Sequence, residues 1–417
     1  MRLQLADPGD HPHVGRLPFA TDLADWELPH IHGVLGLHRH VVRLVELGDE
    51  AARVSYVVKE LPDHLAMREY RLLRGLVEDR LPTVVVVAVV TDRSGGRDGL
   101  LITRHLDYSL PYRSLLSGRG LKVPYLGEKL LDALVGLLVR LHLAGFFWGD
   151  CSLSNALFRR DAGELAAYII DVETSERYEH LTDGQRQLDL DIASENVAGG
   201  LLDLQAGGRL VDGIDPWDVA ANIESRYDGL WAELTGHEEL GSDELWRAEE
   251  RLQRLHDLGF DVGEMEVFTD EDGHHVRLVP RVVESGYHQE RLMALTGLWA
   301  GEKQARRLLD DIRAFGTELQ AATGTAPPDN ITAVRWLDRR FEPIIASIPP
   351  TMRGKLQAAE IYLQLLEHRW FLSEREQRDV GLDEALESYI PDILGPVRSE
   401  QVRLDEPTGE LFLPDLS

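Results

Sequence analysis

One cysteine, Cys151, is all that the 417 residues of this chain contain. An intramolecular disulfide is therefore excluded, and so is a multi-cysteine metal site. Positive charge is also scarce: 44 Lys and Arg face 72 Asp and Glu, a formal charge of −28. A surface that negative repels phosphate backbones and anionic headgroups, so a nucleic-acid partner or binding to a membrane surface is not expected. Long apolar runs are missing as well. The stretch Val84–Val90 is far too short to cross a bilayer, and no membrane span is expected. The opening residues Met1–Pro8 carry no apolar signal segment, which makes the cytoplasm the expected compartment. No HExxH spacing occurs among the histidines. Three His-x-His pairs do, at His11/His13, His30/His32 and His38/His40, and solvated side chains are the expected state for them.

What is present is enough apolar residue, 43%, to build sizeable cores, over a length that predicts two or three domains. Residues 1–30, rich in Pro, Asp and His without a clear period, read as an irregular lead-in. His40–Leu47 and Arg53–Leu61 read as paired strands. Pro62-Asp63 ends the second and opens a helix on which Leu65, Leu72, Leu73 and Leu76 share one side. Glu69 sits among them. A carboxylate on a buried helix face is costly unless a cation meets it, and Lys59, near the end of the preceding strand, is the candidate. Strands are expected from Pro82 to Val90 and over Leu100–Leu106, followed by a long amphipathic helix over about Tyr125–Ala144 that ends at Gly145. Asn155–Arg159 and Leu165–Ile170 form an expected hairpin, and Glu264–Pro280 another. From about residue 185 the chain reads as mainly helical, with Trp336, Trp370 and Phe371 expected in the core. A soft domain boundary falls near residue 260.

The most informative stretch is Trp148-Gly149-Asp150-Cys151-Ser152-Leu153-Ser154-Asn155. It follows the long helix directly and places Asp150 and Asn155 five apart in a polar loop. Sixteen residues after Asn155, apolar Tyr168-Ile169-Ile170 delivers Asp171 to a strand end. Phosphoryl transfer calls for this set of groups. One carboxylate orients a hydroxyl and takes its proton, a carboxylate and an amide oxygen hold a metal, and a lysine steadied by a glutamate grips phosphate. Cys151, beside the proposed base, is expected to be a small buried filler rather than a reactive thiol.

These residues, in this order, resemble the protein-kinase-like superfamily and its atypical bacterial branches, among them the RIO kinases, the aminoglycoside phosphotransferases and the lipopolysaccharide core heptose kinases. The resemblance covers about residues 30–205. It implies an α+β, two-lobed protein-kinase-like fold over residues 31–260, with a small lobe to about residue 106 and a large lobe over 107–260. A mainly helical accessory domain would follow over 261–417. The whole chain is similar to an uncharacterised bacterial family that adds a domain of unknown function. By the resemblance Asp150 is the catalytic base, Lys59 the lysine that grips ATP, and Glu69 its helix partner. Asn155 and Asp171 would hold Mg²⁺ or Mn²⁺. Thr103, His105 and Leu106 would form the hinge at adenine. Gly33 and Gly36 are the only candidates for a glycine loop, and Asp191 is the structural aspartate downstream. Trp148 stands where the family has histidine, and Val172-Glu173 where it has Phe-Gly. The implied activity is an ATP- and metal-dependent phosphotransferase acting on a hydroxyl of a small molecule, a glycan or a protein. The alternative is a pseudokinase, a nucleotide-responsive binding module without turnover.

Overall fold

The structure, a computed structural model, describes residues 1–33, 40–49, 53–116, 126–236, 238–241, 250, 255, 262–269, 275–282 and 286–400. For residues 33, 238–241, 262–269 and 275–282 it describes the backbone path alone. Gly36 and His38 lie outside the described residues.

The small lobe is a six-stranded antiparallel sheet. Its strands are β1 (Arg2–Leu5), β2 (Ile31–Gly33), β3 (Val41–Leu47), β4 (Val54–Leu61), β5 (Val86–Thr91) and β6 (Gly99–Arg104), in the order β1-β5-β6-β4-β3-β2. The two-residue alternation of a strand decides which side chains face which layer. On β4, Tyr56 and Val58 enter one cluster, while Leu61, and with it Lys59, faces the other side. That other side is covered by helix α1 (Asp63–Glu78), which buries Ala66, Tyr70, Leu73 and Leu76 against the sheet.

The opposite face is covered by the N-terminal segment. It was expected to be an irregular lead-in, yet it supplies edge strand β1 and a buried cap. Val14, Leu17, Phe19, Leu23 and Trp26 pack on Val45, Tyr56, Val58, Val87, Val90 and Ile102. Arg93 anchors this cap. Its side chain is fully buried, pairs with Glu60 at 2.5 Å and donates to the Phe19 carbonyl at 2.8 Å. With both faces covered, every residue of β5 is buried, which accounts for its unbroken apolar sequence.

The large lobe begins with β7 (Leu110–Pro111), α2 (Tyr112–Leu116) and the long helix α3 (Leu126–Leu143). There follow β8 (Phe146–Phe147), the hairpin β9 (Ala156–Asp161) and β10 (Glu164–Ile169), β11 (Glu176–Arg177), α4 (Asp183–Ala206) and α5 (Pro216–Thr235). The hairpin turns through Ala162 and Gly163, both at positive φ (57° and 85°), the backbone of a tight two-residue connection.

The C-terminal part adds a three-stranded sheet of β12 (Glu238–Gly241), β14 (His275–Val282) and β13 (Val262–Thr269), in that order. A helical body follows, led by the helices Glu302–Thr323 and Ala358–Glu376. Its core runs from Leu292 to Leu394 and takes in one residue of the large lobe, Ala162 at the hairpin turn. Trp336 is in that core, as its spacing suggested. Trp370 and Phe371 are not: they are 59% and 54% exposed. On helix Ala358–Glu376 the buried positions include Ile361, Tyr362, Leu365 and Leu372, and Trp370 and Phe371 fall outside that stripe.

Candidate active site

The two lobes meet along a line defined by β4, α1, the segment after α3 and the base of the β9–β10 hairpin. Lys59 leaves β4 toward α1 and meets Glu69 at 2.9 Å, and it reaches Asp171 at 3.2 Å and Glu173 at 3.8 Å. Glu69 is 1% exposed. Burial lifts its carboxyl to about pKa 7, more than Lys59 pulls it down. Burial also disfavours the Lys59 ammonium, but Asp171 and Glu69 outweigh it and leave that pKa raised. The pair is therefore a buried ion pair whose members depend on each other.

Helix α1 is tied to the segment beyond Asp171 by a residue that periodicity did not single out. Arg68 donates to the carbonyls of Glu173 and, at 2.7 Å, of Ser175. The anchor holds Glu69 in line with Lys59 and Asp171.

The loop Trp148–Asn155 leads into the β9–β10 hairpin. Asn155 turns its side-chain nitrogen to Asp150, donating to the carboxylate Oδ2 at 2.8 Å and to the Asp150 carbonyl at 3.0 Å. That orientation leaves the amide oxygen of Asn155 for a cation. Partial burial raises the Asp150 pKa, and hydrogen bonds from Asn155 and Asn196 act in the opposite sense. The hairpin brings the two sides together: Ala156 pairs with Ile169, and Ile170 N–H donates to the Asn155 carbonyl at 3.1 Å. Asn155 and Asp171 thus flank the base of one hairpin.

Asp189 on α4 fixes the loop. Its buried carboxylate accepts the backbone N–H groups of Trp148 at 2.7 Å and Gly149 at 2.9 Å, and lies 3.0 Å from His142 Nε2. This corrects the expectation that Asp191 is the structural aspartate. Asp191 is exposed and accepts from the Gln187 amide at 3.1 Å. Two residues along a helix turn the side chain by about 200°, so one aspartate of Asp189-Leu190-Asp191 faces inward and the other outward. Gly149 sits at φ +76°, and a Cβ there would lie 3.0 Å from the Thr174 carbonyl oxygen; the glycine is what lets the loop pass. Trp148, in the position of the expected histidine, is fully buried. Its carbonyl accepts from Ser175 Oγ at 2.8 Å. Cys151 is buried, and burial pushes its thiol well above the ordinary value, the state of a filler rather than a nucleophile.

The remaining expected positions lie nearby or outside. Thr103 is buried on β6 opposite Val57, His105 N–H donates to the Ser55 carbonyl at 2.9 Å, and Leu106 packs against the central core. Burial lowers the His105 pKa, which keeps its ring neutral. Gly33 ends edge strand β2 opposite Arg43. His11, of the first His-x-His pair, is held instead by the Tyr56 hydroxyl at 3.0 Å.

Glu173, which stands where the resemblance implies a glycine, adds an acidic residue beside Asp171. Glu69, Asp171 and Glu173 each offer an oxygen within 4.8 Å of the others, and they form the only such acidic group among the described residues. Three carboxylates around one lysine leave excess negative charge when ionised. Carboxylate and amide oxygens are the donors that Mg²⁺ and Mn²⁺ prefer. Glu69 is the most deeply buried of the three and lies closest to Lys59, so Asp171 and Glu173 are the more accessible carboxylates of the group.

No curated protein matches the chain. Residues 38–193 match the lipopolysaccharide kinase (Kdo/WaaP) family, and residues 229–394 match a domain of unknown function, DUF4032. Among solved structures, "WaaP in complex with acyl carrier protein" is similar at 18% identity and a TM-score of 0.37, over 62% of this chain and 99% of that one. The chain is thus similar to the lipopolysaccharide kinase (Kdo/WaaP) family over its N-terminal region and to DUF4032 over its C-terminal region.

Proposed function

We propose that the protein is an ATP-dependent phosphotransferase that uses Mg²⁺ or Mn²⁺ and acts on a hydroxyl group of a small molecule, a glycan or a protein. The observation that carries this reading is the buried Lys59–Glu69 pair beside Asp171, which the β9–β10 hairpin joins to the Asp150–Asn155 loop. In this reading Lys59 neutralises phosphate charge, and Glu69 with Arg68 behind it holds the lysine in place. Asp150 orients the acceptor hydroxyl and takes its proton as the new O–P bond forms and the β–γ bridging P–O bond breaks, releasing ADP. Asp171, Asn155 and Glu173 would hold the divalent ion, which when bound would supply charge neutralisation on the phosphates.

Thermal unfolding with ATP and Mg²⁺ tests the reading. A ligand at about 100 times its dissociation constant stabilises the folded state by about 2.7 kcal/mol. Wild type should melt higher with ATP and Mg²⁺ together than with either alone, and Lys59→Met should lose that increment. No increment in wild type removes the reading. An increment without any ATP turnover selects the pseudokinase alternative.

A further inference from the structure

We infer that Asn196, on helix α4, is a positioning residue for Asp150; the inference rests on the phosphotransferase reading above. Asp150 is held by two amides, one on each carboxylate oxygen. Asn155 donates to Oδ2 at 2.8 Å, and Asn196 Nδ2 donates to Oδ1 at 3.0 Å. The same Asn196 nitrogen reaches the Cys151 carbonyl at 3.2 Å. Asn155 comes from the loop that carries Asp150 and has a ligand role of its own. Asn196 comes from a different element and from a part of the chain that the catalytic-loop pattern does not include.

The placement follows from the helix. Asn196 is seven residues beyond Asp189, two turns of α helix, so both project on one side. Asp189 accepts the N–H groups of residues 148 and 149, and Asn196 donates to groups of residues 150 and 151. Between them Ala193 is fully buried, and its small side chain allows α4 to approach the loop. One helix face thus grips four consecutive loop residues: an acceptor fixes the backbone and a donor fixes the carboxylate. A carboxylate with one amide hydrogen on each oxygen is restricted about χ2, and a lone pair on each oxygen stays available for an incoming hydroxyl. Orientation of the proton acceptor is a term that affects the chemical step and leaves nucleotide binding alone.

The test is steady-state ATP turnover with Mg²⁺, water serving as acceptor, on wild type, Asn196→Asp and Asn196→Ala, alongside melting temperature and KM for ATP. Asn196→Asp keeps the side-chain shape and replaces the donor facing Asp150 with an acceptor. The expected result is a kcat lowered by about 10- to 100-fold in both variants, with Asn196→Asp the lower, at a KM within about twofold of wild type. The melting temperature of Asn196→Ala should stay close to wild type. Wild-type kcat in both variants would overturn the inference and leave the phosphotransferase reading standing. A loss of kcat that tracks a raised KM and a lowered melting temperature would also overturn it, because the role would then be structural. A wild type without turnover would remove the phosphotransferase reading and the inference with it.

Discussion

Asp161, at the tip of the β9–β10 hairpin, gives the sharpest stability prediction. Its carboxylate is buried where the C-terminal body meets the large lobe. It accepts the Lys303 N–H at 3.1 Å and the Gln304 N–H at 2.7 Å, at the start of the helix Glu302–Thr323. Glu360 accepts the Ala162 N–H at 3.1 Å and the Gln304 side chain at 2.7 Å beside it. Burial raises the Asp161 pKa to about 6, against the two backbone donors and Lys303, which lower it. An unfolded aspartate titrates near pKa 3.9. A carboxyl whose folded pKa lies above its unfolded value binds more protons when folded, so acidification through about pH 6 favours the fold. Its stabilising contribution is complete below about pH 4 and is lost as pH rises through 6. The wild type should then gain on the order of 1 kcal/mol from this group between pH 7 and pH 5, and a few kcal/mol over the full window. Asp161→Asn removes the titration and keeps the shape. Urea unfolding of wild type and Asp161→Asn at pH 7 and pH 5, followed by tryptophan fluorescence, isolates the term as a difference of differences. The variant should fall behind wild type by on the order of 1 kcal/mol on acidification. Parallel pH dependence, or a wild type that loses ground to the variant, would refute the burial argument.

Three further outcomes follow from the geometry. Lys59→Met leaves Glu69 buried without its cation and should cost about 3–5 kcal/mol of stability in urea unfolding. Glu69→Gln should cost less, because Lys59 keeps Asp171 and Glu173; the reverse order would contradict the pairing. Asp189→Ala strands two backbone N–H groups and should lower stability by about 2–4 kcal/mol and abolish turnover. Asp191→Ala should stay within about 0.5 kcal/mol of wild type in the same assay. Cys151 should resist a thiol-labelling reagent in the native protein and react fully in denaturant; fast native labelling would contradict its burial.

Much of the small lobe was legible because strand and helix periods, together with the cost of a buried charge, point the same way. Glu69 on the apolar face of α1 required a cation, and Lys59 met it. The β9–β10 and β13–β14 hairpins were legible from their turns and alternation. The N-terminal cap was not. Val14, Leu17, Phe19, Leu23 and Trp26 have no period, and only the far face of the sheet makes them core. Asp189 and Asp191 were not separable by pattern, since alternate helix positions are equally good candidates until the loop is in place. Once Asp189 is fixed, the seven-residue spacing identifies Asn196. Glu173 was not legible as a site residue because the resemblance implies a glycine at its position. Trp370 and Phe371 were expected in the core because they fall on an amphipathic helix, yet both are more than half exposed.

The central claim is that Asp150 serves phosphoryl transfer from a nucleotide gripped by Lys59. The direct measurement is transfer of labelled γ-phosphate from ATP, to protein or to water, by wild type and Asp150→Asn, with ATP and Mg²⁺ binding followed in parallel by thermal shift. Turnover by wild type that falls about 10²- to 10⁴-fold in Asp150→Asn, with the nucleotide-dependent shift retained, is the predicted result. Equal turnover in both proteins, or none in wild type at saturating ATP and metal, would contradict it.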